Sequence, residues 1–163
     1  MEKKIIRVPW GREISFTTTT KLFIRHILHS CRDSNFPQYL VYKGKHLNYI
    51  EILGIVVREL TREQDKFVIV DDGTGLLECR IRSKVMLQSE SVENLSFLNK
   101  CVRFTGVVEY CPFSQMAQTI DGEGDLCAAK LKVTAIRICE DANEEYLHWM
   151  DILKRECLLF PFS

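Results

Sequence analysis

The chain has 163 residues, enough for one domain with a sound core and too few for two of ordinary size. Its 46% apolar and 27% charged residues are the proportions of a globular protein, and no apolar run reaches the eighteen or so residues that a membrane span needs. Net charge is zero but unevenly spread: residues 1–46 carry nine Lys/Arg against three Asp/Glu, 47–120 eight against ten, and 121–163 five against nine. A dedicated nucleic-acid domain is usually basic throughout, so this one is expected to meet phosphates through a local patch.

The opening MEKKIIRVPWGRE has charges but no apolar core, which excludes a secretory signal and makes an intracellular protein the expectation. Residues 1–17 read as an extension. TTKLFIRHILHSC (19–31) places Leu22, Phe23, Ile27 and Leu28 at helical spacing and predicts a short amphipathic helix. NFPQYLVYKGKHLNY then holds a proline turn, an apolar segment at Tyr39–Tyr42 and a Lys-Gly-Lys turn. YIEILGIVVR (49–58) is a β-rich run whose Gly54 marks a bulge or bend.

KFVIVDD (66–72) and LLECRIR (76–82) follow as strands. The second sets Leu77, Cys79 and Ile81 on one face and Glu78, Arg80 and Arg82 on the other. The spacing in VMLQSESVENLSFLNK (85–100) predicts a connecting helix. CVRFTGVVEY (101–110) alternates again, with Val102, Phe104, Gly106 and Val108 inward and Arg103, Thr105, Val107 and Glu109 outward. Residues 111–127 read as a flexible loop, and AAKLKVTAIRIC (128–139) as a fifth strand with Leu131, Val133 and Ala135 in one register. ANEEYLHWMDILKREC (142–157) closes the chain as a helix.

Five strands, a helix between the third and fourth and a bent first strand are the order of an all-β, five-stranded OB-fold barrel with flanking helices. On this reading 18–140 is the OB domain, 141–158 an appended helix and 159–163 a tail. The bend lets the first strand pair at both ends, which closes the barrel and removes exposed edges.

VDDGTGLLECR (70–80) invites a chemical reading. Asp71 and Asp72 are adjacent, so in an extended strand they face opposite ways and cannot share an ion. The stretch lacks G-x-x-x-x-G-K-[ST], and a strand follows it rather than a helix, which excludes a phosphate loop. It fits a hairpin turn, with Asp and Gly supplying positive φ and Thr74 bonding the local backbone.

No paired carboxylates, Ser/His/Asp set or metal spacing is present, so no catalytic residue, metal or cofactor is expected. The seven cysteines contain no C-x₂₋₄-C and read as reduced structural thiols. His26 and His29 at i, i+3 lack a third ligand and read as solvated helix residues, while His46 and His148 are isolated.

Two candidate surfaces emerge. Lys66, Arg80, Arg82 and Arg103, with Tyr110 at a strand end, combine cations with a stacking ring, the means by which OB barrels hold single strands. The bland alternative is a set of solvated strand positions. In the last helix Tyr146, Trp149, Met150, Leu153 and Cys157 form one stripe. Most amphipathic helices cover their own domain, but a closed barrel already contains its core, so this stripe reads as a partner surface with a self-covering helix as the alternative.

KLFIRHIL (21–28), YIEILGIVV (49–57), VDDGTGLLECRI (70–81) and VRFTGVV (102–108) together resemble the Stn subunit of the telomere-capping CST complex, itself similar to the middle subunit of replication protein A. NEEYLHWMDILK (143–154) resembles the final helix of the single-domain plant forms. The resemblance implies a nuclear, telomeric protein whose final helix packs on a small Ten-type OB subunit. It further implies a large Ctc-type subunit, binding of G-rich telomeric single strands and support of polymerase alpha–primase. Alternatives are an OB scaffold without DNA binding and a replication protein A-like middle subunit in general replication. Relatives often carry an aromatic at the position of Arg82 and a basic residue near Glu109, two departures that weaken DNA binding by this subunit alone.

Overall fold

The computed structural model describes residues 19–32, 39–82, 95–110 and 129–159, with short strands at 5–7, 13–15, 86–87 and 90–91. The sequence-predicted loop at 111–127 and most of the 1–17 extension and 159–163 tail lie outside the described residues.

Five strands make the barrel: β1 (Ile50–Arg62), β2 (Asp65–Asp71), β3 (Leu76–Ile81), β4 (Cys101–Tyr110) and β5 (Ala129–Ile138). β1, β2 and β3 pair antiparallel in succession, β3 pairs parallel with β5, and β5 pairs antiparallel with β4. β4 returns to β1, where Cys101 lies opposite Ile55 and Gly106 opposite Ile50. The ring is closed because β1 serves two partners, β4 through its first half and β2 from Ile55 onward. This is the OB barrel.

Alternation builds it. On β4 the buried residues are Val102, Phe104, Gly106 and Val108, the set read as inward from the sequence. Val102, Phe104 and Val108 meet Ile50, Ile52, Val68, Val70, Leu77, Cys79, Ile81 and Leu131 in one core in which each is 5% exposed or less. Each such aliphatic side chain contributes about 1.5–3 kcal/mol on leaving water. Gly54 sits where β1 changes partner, and a Cβ there would collide with the Asp71 carbonyl oxygen and the Val70 side chain. The break in register falls three residues on, at Val57 between Val56 and Arg58, so close approach is why a glycine is needed.

The sequence reading is corrected at two elements. No connecting helix occupies the described part of 85–100. Met86–Leu87 pairs with Glu90–Ser91 instead, and 95–100 is irregular. Glu59 fixes that segment by accepting the Phe97 N–H at 2.9 Å and the Ser96 hydroxyl at 2.8 Å. Phe97 is fully buried against Phe104 and Leu95 is half-buried on the core, so the apolar spacing here fills a barrel end. On β5 a bulge opposite Thr105/Gly106 exposes Ala135 and turns Ile136 and Ile138 onto the core.

Two helices flank the barrel, α1 (Ile24–Leu28) and α2 (Asn143–Leu159). Ahead of α1, Thr20–Lys21 lies parallel to Ile50–Glu51, and Leu40–Tyr42 with Lys45–Leu47 forms a hairpin beside it.

Candidate nucleic-acid interface and partner helix

The Asp71–Gly75 turn is a device for joining elements. α1 begins at Phe23 with no capping side chain of its own. Asp72, 2% exposed, takes that role from the hairpin: its Oδ2 accepts the Ile24 N–H at 2.7 Å, and its Oδ1 accepts the Thr74 N–H at 2.8 Å and hydroxyl at 2.6 Å. The Thr74 oxygen in turn accepts the Arg25 N–H at 3.1 Å. Asp71 accepts from Gly73, whose φ of +80° closes the turn. The orphan donors of a helix start are thus satisfied from nearly fifty residues away.

The five residues read from the sequence as DNA contacts do not form one set. Arg80 lies on the outer face of β3, and Arg82 follows the strand's last residue. Arg80, half-exposed, holds Asp65 at 2.7 and 2.5 Å and sits 5.8 Å from the centroid of Phe67, its cross-strand partner. Arg82 is exposed and has no ion-pair partner among the described residues.

Lys66 is not outward: it is 5% exposed, donates to the Leu95 carbonyl and stands 5.5 Å from the Phe97 ring centroid. Period two gives the reason, since Lys66 shares a face with Val68 and Val70. Arg103 does point outward, but α2 covers it, and its guanidinium bridges Glu51 at 3.1 Å and Glu144 at 3.3 Å. Tyr110 is half-buried, its hydroxyl 3.0 Å from that of Ser30. Phe67, half-exposed on the face of Arg80, is the aromatic that sequence reasoning missed. The signal was present, because the same period that buries Lys66 turns Phe67 outward.

α2 has two working faces. Toward the barrel lie His148 (1% exposed) and Ile152 (0%), with half-buried Trp149 edge-on to Phe23 at 6.4 Å. Ion pairs bind this face, Arg137 and Arg103 to Glu144 and Lys21 to Asp151, and Arg155 adds a hydrogen bond donated to the Lys21 carbonyl. Away from the barrel stand Tyr146 (71% exposed), Leu147 (63%), Met150 (46%) and Leu153 (43%), with exposed Cys157 beyond them. Of the predicted stripe, Trp149 therefore turns partly inward, and Leu147 joins the outer face.

Of the two helix histidines read as solvated, His29 is exposed and His26 is not. His26 is buried, stacked on Tyr42 at 5.0 Å, with Nε2 3.1 Å from Glu156. Burial lowers its pKa against the opposing pull of Glu156. His46 is buried edge-on to Tyr39, and His148 Nδ1 lies 3.5 Å from Glu51. Burial raises the Glu51 pKa, but His148 and Arg103 outweigh it and the net shift is downward. No group of three or more His, Cys, Asp or Glu placed to hold a metal occurs among the described residues. Cys79 is buried and burial pushes the Cys101 thiol up to about 11, which suits structural thiols.

The chain is similar to known proteins in both sequence and fold. It is 27% identical to the CST complex subunit STN1 of Homo sapiens over 124 residues, 72% of this chain and 33% of that protein. With the same subunit of Ailuropoda melanoleuca it shares 38% over 72 residues, 43% of this chain and 19% of that one. It thus spans about a third of the length of the first of these relatives and less of the second.

The fold matches the S. pombe Stn1–Ten1 complex structure at a TM-score of 0.62 and 16% identity, covering 86% of this chain and 92% of the other. It matches a replication protein A heterotrimer bound to single-stranded DNA at 0.63 and 18%, covering 86% and 97%. Residues 10–161 match the family model described as telomere regulation protein Stn1, and the chain belongs to that family.

Proposed function

We propose that the chain is a non-enzymatic OB subunit of a telomere-capping assembly of the CST kind, acting in the nucleus at chromosome ends. In this reading it pairs with a small Ten-type OB subunit through the outer face of α2 and joins a large Ctc-type subunit. Together they hold G-rich single-stranded DNA and support polymerase alpha–primase. The carrying observation is the outer face itself: four large apolar side chains in register on a helix whose other face is already seated. Apolar anchors of this kind are the cores of stable interfaces. Family membership and the names of the CST and Stn1–Ten1 relatives supply the partner's class.

DNA contact is assigned to Arg80 and Arg82, with Phe67 as the stacking ring and Tyr110 at the end of β4. Lys66 and Arg103 are dropped, because both are committed inside the fold. A scaffold without DNA binding is the second reading, favoured by the Asp65 partner of Arg80.

Co-expression with a small OB partner tests the assembly. Met150→Glu with Leu153→Glu should abolish co-purification and leave the thermal midpoint unchanged. Undiminished pairing would remove the outer face from the interface.

A further inference from the structure

A second basic feature lies apart from the β2–β3 face. Thr20, the hairpin residues 42–47 and the last turns of α2 enclose a pocket of about 130 Å³ with mainly apolar walls. A cavity of about 150 Å³ admits one benzene ring, so this pocket suits a single aromatic ring. Leu47 and Tyr42 supply its apolar wall. Tyr42 is fixed twice, by stacking on His26 and by donating its hydroxyl to Glu156 Oε1 at 2.7 Å.

Charge at the pocket is lopsided. Lys43, Lys45 and Arg155 face one carboxylate, Glu156. That carboxylate is shared: Tyr42, His26 at 3.1 Å and Lys43 at 3.6 Å all reach Oε1. Lys45 is exposed and has no ion-pair partner among the described residues.

We propose that this pocket binds a nucleotide, with its phosphate against Lys43, Lys45 and Arg155 and its base against Leu47 and Tyr42. An exocyclic amine of the base then donates to the Glu156 carboxylate. A phosphorylated aromatic side chain of a peptide would satisfy the cations equally. It brings no ring-edge donor, however, and would desolvate a carboxylate oxygen without replacing its hydrogen bonds. Preferring a nucleotide also rests in part on the single-strand reading above.

The test titrates the full chain with the four deoxynucleoside 5′-monophosphates, following NMR shifts. Saturable changes confined to 42–47 and 155–156 are expected, strongest for deoxycytidine 5′-monophosphate, whose single ring fits the cavity and carries an exocyclic amine, and weaker for thymidine 5′-monophosphate, whose base has none. Lys45→Glu should weaken binding roughly tenfold, as expected for loss of one charge-assisted contact. Lys100→Glu, outside the pocket lining, should leave it unchanged. A 5′-phosphorylated oligonucleotide binding more tightly than the mononucleotides identifies a strand end as the source, and the reverse order identifies free nucleotide.

No saturable change, an equal response to inorganic phosphate, indifference to Lys45→Glu or tighter binding of phosphotyrosine each overturn the proposal. If strand binding ignores Arg80→Glu while the mononucleotides bind in a Lys45-dependent way, only the β2–β3 face has failed.

Discussion

Asp72 shows how one side chain can decide where two elements meet. Its carboxylate is buried and accepts hydrogen bonds from Ile24 at the start of α1 and from Thr74 in the β2–β3 turn. Asp72→Ala leaves those buried donors without acceptors, and the expected loss is about 2–3 kcal/mol, read as a lower urea midpoint at unchanged slope. Asp72→Asn keeps one acceptor oxygen and should lose roughly half as much. An alanine variant as stable as the parent would show that water replaces the carboxylate. The turn was legible as a turn in the sequence, since Asp-Gly-Thr between two alternating runs has few other conformations. Its capping of a helix 48 residues upstream was not, because no local pattern encodes a long-range acceptor.

Among elements, strands were legible and docking was not. The borders of β2, β3 and β4 follow period two, and the buried residues of β4 are those the pattern names. The pattern says which side of a strand a residue takes but not what later covers that side. Arg103 is outward as expected and is still enclosed, because α2 lies over it. Likewise α2 carries inner and outer apolar lines that merge into one stripe when only spacing is read, which is why Trp149 was grouped with Met150. Trp149→Glu would therefore disturb the contact with Phe23 and confound a pairing assay, whereas Met150 and Leu153 do not pose that problem.

The seat of α2 also titrates. Burial, opposed by Glu156, holds the His26 imidazole below its ordinary value of about 6.5. The unfolded chain then binds the extra proton first, so stability falls as pH drops through that value. Burial raises the Glu156 carboxyl, but the hydrogen bond from Tyr42 and the charges of His26 and Lys43 outweigh it, and the net shift is downward. A second loss follows below the ordinary carboxylate range. Thermal melts between pH 7.5 and 5.5 should show a falling midpoint whose slope is reduced in His26→Phe, which keeps the ring against Tyr42. Equal slopes in the two proteins would rule out His26 as the source.

At the scale of the whole molecule, zero net charge would make the proposed strand binding a local matter. Arg80 and Arg82 rise from a face where Glu78 is paired with Lys130 and Glu109 with Lys132, so the surrounding field is nearly balanced. Arg80 must also exchange Asp65 for a phosphate, which offsets much of its Coulomb gain. On the proposed function, such a face would give weak binding with a shallow salt dependence. Each phosphate neutralised on a single strand contributes about −0.7 to the slope of log K against log salt. Two arginines therefore account for about −1.4, and Arg80→Glu with Arg82→Glu should flatten the slope by that amount. Phe67→Ala acts differently, because stacking releases no counterions: affinity should fall by about 1–3 kcal/mol at every salt concentration with the slope unchanged. Fluorescence anisotropy of a labelled G-rich strand with the partner-bound protein separates the two effects. A slope unaltered by the arginine pair would place the contacts elsewhere, and a slope far steeper than two phosphates allow would mean that the basic 1–46 segment joins the site.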